Sequence, residues 1–239
     1  MSNSDYWIND EKKIILIWSP KCACTSIHDG FIRNVSEITV NKDPRKLAEE
    51  YKYVKGDYSK IDDKHKNYFI YWGIRNPYDR IVSCYINKFI LYKNKRLNEN
   101  NLEGFSRNLL KHIGIDYNNL TFNKLLYGIQ DLMSKNAQIN HHFNTQVNIK
   151  NYNKIKNYPN LFLFDIKNIP EIFGNKKLNM TKYSNNIVST DLCNMKAKDI
   201  KINMLSKKNF INSNELIKRI YEQDYQIFEK HNIIYSSKY

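Results

Sequence analysis

Ile14-Ile-Leu-Ile-Trp18 is an apolar run of the length of one buried strand, and it breaks into Ser19-Pro20-Lys21 before a helical pattern restarts at Thr25-Ser26. This order predicts a strand, an anion-binding loop and a helix start. A helix beginning at Thr25 or Ser26 leaves its first backbone N–H groups without carbonyl partners and points the positive end of its dipole into the loop. Lys21 adds a mobile cation. Pro20, Lys21, Cys22, Ala23, Cys24, Thr25 and Ser26 together make a cradle for phosphate or sulfate. It is not the triphosphate loop G-x-x-x-x-G-K-[ST]: no glycine lies between Ile14 and Asp29, and the lysine precedes the hydroxyl pair by four residues.

A second segment has the same layout. Tyr68-Phe-Ile-Tyr-Trp-Gly-Ile74 is apolar throughout, as expected of a strand buried in a parallel sheet, and Asn76-Pro77 then opens a helix with Asn as cap and Pro at the first position. On that helix Arg80, Ser83 and Asn87 share one face while Ile81, Tyr85 and Phe89 lie on another, so one face is expected to meet ligand and the other core. An isolated R-x-x-x-x-R more often pairs with surface carboxylates. Arg75 and Arg80 instead flank the junction of a buried strand and a helix start, which favours an anion.

Ser19-Pro-Lys-Cys-Ala-Cys-Thr-Ser26 resembles the 5′-phosphosulfate loop of the sulfotransferases, P-K-x-x-x-T-S. Arg75-Asn-Pro-Tyr-Asp-Arg-Ile-Val-Ser-Cys-Tyr-Ile-Asn-Lys-Phe89 resembles the same family's 3′-phosphate segment, R-x-P-x-x-R-x-x-S-x-x-x-x-K-F, at every marked position. Two motifs in this order, about fifty residues apart, are far more specific than either alone. The nearest branch is the carbohydrate sulfotransferases, sulfotransferase family 2. Ile139 to Gln146 is similar to that branch's H-W-x-P-Q segment through His142, Phe143 and Gln146, with Phe in place of Trp and Thr145 in place of Pro. Tyr221-Glu-Gln-Asp-Tyr-Gln-Ile-Phe228 is similar to its closing Y-x-x-D-Y-x-x-F, which is structural there.

The resemblance implies 3′-phosphoadenosine 5′-phosphosulfate as sulfuryl donor, a hydroxyl acceptor that is a carbohydrate or glycoconjugate, and no metal. It implies that Lys21 is catalytic, that residues 20–26 hold the 5′-phosphosulfate, and that Arg75, Arg80 and Ser83 hold the 3′-phosphate. A loop over the nucleotide in related enzymes points to Lys182, Tyr183, Ser184 and Asn185. His142 is the implied base for the acceptor's proton; related enzymes also use a glutamate, and the residue alone reads equally well as a packed loop histidine beside an exposed His141.

Composition bounds the class. A chain of 239 residues can bury one sizeable core, so a single α/β domain is expected, its core at about 13–230 and an acceptor-side insertion at about 91–120. The net charge is +14, but only seven of the 38 basic residues are arginine and the lysines are scattered, which argues against a dedicated nucleic-acid surface. No apolar run reaches the ~18–20 residues of a membrane span, and the N-terminus shows no basic-then-apolar leader, so a cytoplasmic protein is expected. Cys22, Cys24, Cys84 and Cys193 form no C-x-x-C pair and no metal-ligand spacing.

Elsewhere the pattern predicts helices over about 25–35, 44–50, 104–113, 121–133 and 212–230, a brief strand at 51–54, and a core strand at 158–165. The first strand is expected to begin near Lys13, and His28 and Asp29 to be solvated or capping groups. The fold class is α/β: a three-layer, P-loop-like domain whose mainly parallel sheet is flanked by helices, with ligand at the carboxyl ends of the strands. Three other readings share these features: a P-loop-type phosphotransferase (kinase), a non-catalytic adenosine-bisphosphate or nucleic-acid binder, and a degenerate sulfotransferase.

Overall fold

The structure is a computed structural model, and it describes residues 5–22, 24–35, 44–57, 60–93, 95–172 and 190–235. Its strands are β1 (Asp5–Asn9), β2 (Ile14–Trp18), β3 (Val54–Asp57), β4 (Phe69–Ile74), β5 (Leu91–Tyr92), β6 (Lys95–Arg96) and β7 (Leu161–Asp165). Its α-helices are α1 (Cys24–Val35), α2 (Pro44–Glu50), α3 (Pro77–Tyr85), α4 (Gly104–His112), α5 (Phe122–Ser134), α6 (Ile149–Ile155), α7 (Ile169–Ile172), α8 (Asn214–Ile220) and α9 (Glu222–Lys230). Contacts group the chain into two compact units, one of Met1–Asn76, Thr145–Met180 and Gln226–Ile234, the other of Pro77–Asn144, Thr181–Tyr225 and Tyr235–Tyr239.

The first unit holds a five-stranded sheet in the order β3-β1-β2-β4-β7. β2, β4 and β7 pair in parallel, while β1 runs antiparallel to both of its neighbours. The architecture is therefore mixed α/β with a mostly parallel central sheet and flanking helices. The strand β1 is absent from the expectation, which began the sheet near Lys13. Asp5-Tyr-Trp-Ile-Asn9 has polar ends and only three apolar residues, yet Tyr6, Trp7 and Ile8 are all buried once β1 pairs with β2 and β3. The missed strand also explains His28. Instead of being solvated it is buried against the rings of both Trp7 and Trp18, at 4.2 and 4.4 Å between centroids.

The apolar strands bury both faces, as their sequences require. Trp7, Leu16, Trp18 and Phe164 meet Ile27, Phe31 and Ile32 of α1 on one face. Trp72 points to the other and approaches Tyr152 of α6. Gly73 sets how close α1 lies, because a Cβ there would sit 2.5 Å from Ile27 Cδ1 and 3.2 Å from Phe164 Cζ.

In the second unit a core of α3, α4, α5 and α8 side chains packs around Tyr85, Phe89, Phe122, Phe143 and Phe210. α3 starts at Pro77 as the sequence predicts, but it has no ligand-facing side open to solvent, since every residue from Pro77 to Tyr85 is buried. It then widens into a π-turn over Ile86–Ile90. The expected insertion at 91–120 is built into this core through Leu97, Leu102, Leu109, Leu110 and Tyr117. The expected strand at 51–54 lies slightly later, at Val54–Asp57, and the expected helix at 212–230 is two, broken at Tyr221.

Candidate active site

The loop after β2 is a tight turn. Cys22 N–H donates to Ser19 O at 3.1 Å, Pro20 takes the second position, and Lys21 takes the third with φ +67°. This is the pattern of a type II turn, whose third position is normally glycine. A lysine there costs about 1–3 kcal/mol of backbone strain, so surrounding groups must hold it. Arg75 Nη1 does so by donating to Lys21 O at 2.7 Å.

The residue that joins this turn to the end of β4 is Gln146, which is fully buried. Its side-chain oxygen accepts from Arg75 N–H and Cys22 Sγ, both at 2.9 Å, and its amide nitrogen donates to Arg75 O at 2.7 Å. Its own carbonyl accepts from Ser19 Oγ at 2.9 Å. The sequence marked Gln146 only as the last letter of a weakened motif. Its bridging role depends on three segments far apart in the chain, which no local pattern encodes.

α1 begins at Cys24, one residue before the earliest expected start, and its N-terminal N–H groups follow the turn directly. Ala23 and the side chains of Cys24 and Thr25 lie outside the described residues; Ser26 is half-buried. Arg75 is half-buried, and among the described residues its guanidinium makes one hydrogen bond, to a carbonyl rather than to a carboxylate. Four of its five N–H groups are therefore not committed to described residues. The unit thus combines an α-helix N-terminus, a lysine and an arginine, a set suited to an anion with more than one charged group.

The other predicted residues behave differently. Arg80 is fully buried and donates to Asn144 O at 2.7 Å and to His141 O at 3.0 Å. The geometry makes it a clamp on the segment that carries His142, a role that its expected place at the 3′-phosphate did not include. Ser83 is buried on the same helix. His142 is half-buried, with His141 exposed beside it. Its ring stacks on Phe105, centroids 4.9 Å apart and planes 5° apart. Phe143 O accepts from Tyr221 at 2.6 Å, and burial pushes the Tyr221 pKa up, which keeps that hydroxyl a neutral donor. Tyr183 and Ser184, with Lys182 and Asn185, lie outside the described residues. Asn140, which touches the ring of His142, carried no signal in the sequence beyond its proximity.

Among the described residues no cluster of three His, Cys, Asp or Glu side chains is placed to hold a metal, and no helix is long and apolar enough to cross a membrane. Among the described residues Cys22, Cys84 and Cys193 are buried thiols outside any disulfide. No curated protein and no solved structure gives a significant match. The family model described as "Sulfotransferase family" matches residues 4–231, nearly the whole chain and both loops of the cradle. On that match, and on the two phosphate-loop motifs it spans, the chain belongs to sulfotransferase family 2.

Proposed function

We propose that this transferase moves a sulfuryl group from 3′-phosphoadenosine 5′-phosphosulfate to a hydroxyl of a carbohydrate or glycoconjugate. The observation that carries the reading is the junction of the two motif loops: Lys21 O bound by Arg75, with Gln146 bonded to both segments, beside the N-terminus of α1. A donor with phosphate groups at both ends of its ribose calls for two anion sites built as one piece.

The chemistry is an in-line displacement. The acceptor oxygen forms a bond to sulfur as the bond from sulfur to the phosphate's bridging oxygen breaks, and the electron pair leaves with the phosphate. In this reading Lys21 and the α1 N–H groups neutralise the charge that grows there. A transferring sulfuryl group carries less charge than phosphoryl, so the reaction as proposed needs no metal. His142 takes the acceptor's proton as neutral imidazole. Parts for Arg80, Ser83, Tyr183 and Ser184 in donor binding rest on the resemblance alone. The cytoplasm is the proposed compartment, and the four cysteines do not contradict it.

The test is transfer of labelled sulfuryl from the donor to a panel of saccharides, small alcohols and tyrosine peptides. Label should appear in a saccharide and disappear with Lys21→Ala. Transfer only to a non-saccharide hydroxyl would replace the acceptor class. No transfer to any hydroxyl, with ATP the best-bound nucleotide, would favour a phosphotransferase.

A further inference from the structure

His142 is restrained from several directions within its own unit. Arg80 binds the carbonyls of residues 141 and 144, Tyr221 binds that of Phe143, and Phe105 lies flat against the imidazole. Once the ring plane is held, one chemical variable is left: which ring nitrogen carries the proton. For a base this decides everything, because only the nitrogen with a lone pair can accept.

Asn140 fixes that variable. Its Oδ1 lies 3.0 Å from the backbone nitrogen of His142 and 2.8 Å from ring Nδ1. A backbone N–H can only donate, so the amide atom that faces both groups must be the oxygen. An oxygen opposite Nδ1 in turn requires the proton on Nδ1, and neutral imidazole then has its lone pair on Nε2.

We propose that Asn140 is a positioning residue that holds neutral His142 in the Nδ1–H tautomer and thereby makes Nε2 the nitrogen that receives the acceptor's proton. This rests on the reading of His142 as the base. In the step, the acceptor O–H bond breaks, its electron pair goes to the new S–O bond, and the proton goes to Nε2 and later to solvent. As Nε2 gains that proton, the Nδ1–H bond to Asn140 becomes charge-assisted, so the same contact favours the transferred state. Asn140 also shapes the turn, since its carbonyl accepts from Phe143 N–H at 2.9 Å. Turn formation alone would leave the tautomer indifferent.

The experiment is ¹⁵N spectroscopy of the full chain labelled at histidine, recorded where imidazole is neutral, with the His142 signals assigned by their loss in His142→Gln. The wild type should show protonated Nδ1 and unprotonated Nε2. Asn140→Ala should lose that preference, and kcat for sulfuryl transfer to the best saccharide of the panel should fall ~10²-fold with little change in donor KM. Asn140→Asp, which keeps an acceptor oxygen, should retain both tautomer and rate better than the alanine variant. Stabilisation by adenosine 3′,5′-bisphosphate serves as the check on folding. A wild-type Nε2–H tautomer, or an alanine variant that keeps Nδ1–H, overturns the proposal without any activity measurement. If instead the tautomer is as stated but His142→Ala transfers at full rate, the base reading fails, and with it any catalytic part for Asn140.

Discussion

At φ +67° Lys21 occupies backbone that glycine would adopt without strain, yet glycine would remove the cation that the proposed reaction uses. The two demands can be separated by substitution. Lys21→Ala keeps the strain and removes the charge, whereas Lys21→Gly removes both. Both should lower kcat by ~10²–10³, the range for loss of one preorganised group. In thermal unfolding the glycine variant should be the more stable of the two by ~1 kcal/mol. Equal stability would show that the turn is relaxed, and unchanged turnover in either would place the chemistry elsewhere. A second residue-scale effect concerns His231, whose pKa burial pushes down and whose Nε2 lies 2.9 Å from Tyr152 Oη. A histidine with a depressed folded-state pKa binds its proton more readily when unfolded, so folded stability should fall as pH drops below the ordinary imidazole value of ~6.5. His231→Gln should flatten the melting temperature across that window; a slope identical to wild type would remove His231 from the account.

Between elements, the site depends on how α1, β2 and β4 are spaced. Gly73 lets α1 lie against β4, and Gly73→Ala would drive a methyl into Ile27 Cδ1. Overpacking of this kind costs about 1–3 kcal/mol. The variant should melt lower and bind adenosine 3′,5′-bisphosphate more weakly, because Ile27 sits in the first turn of the helix that ends at the cradle. Pairing it with Ile27→Val should restore part of both losses, and no rescue would mean the clash is not the cause. Gln146 tests the link between loops more directly. Gln146→Leu leaves the N–H and C=O of Arg75 without their side-chain partner, at ~1–3 kcal/mol for each group left buried. The expected outcome is a destabilised fold with weaker bisphosphate binding, whereas unaltered binding would mean that Arg75 is positioned by its own strand end.

Across the whole molecule, most of what the sequence made legible follows from short-range patterns. The runs at 14–18 and 68–74 announced buried parallel strands, Pro77 announced the start of α3, and the spacing in 121–133 announced an amphipathic helix, because each signal is complete within one element. What was not legible depends on partners distant in the chain. β1 is a strand only because it sits between β2 and β3, His28 is buried only because Trp7 and Trp18 pack against it, and Arg80 is a clamp only because residues 141 and 144 fold back to it. The same holds in the site: Lys21 and Arg75 were readable as motif letters, but Gln146 bonds to Arg75 and Cys22 across stretches of chain that no local spacing spans.

The most direct measurement is thermal unfolding with adenosine 3′,5′-bisphosphate, AMP and ATP, on the wild type and on Arg75→Ala. A bound ligand stabilises the native state by ~2.7 kcal/mol at a hundred times its dissociation constant. The account predicts that stabilisation with the bisphosphate in the wild type, much less with AMP at the same concentration, and loss of the difference when Arg75 is removed. Equal stabilisation by bisphosphate and AMP, or a difference that survives Arg75→Ala, would contradict it.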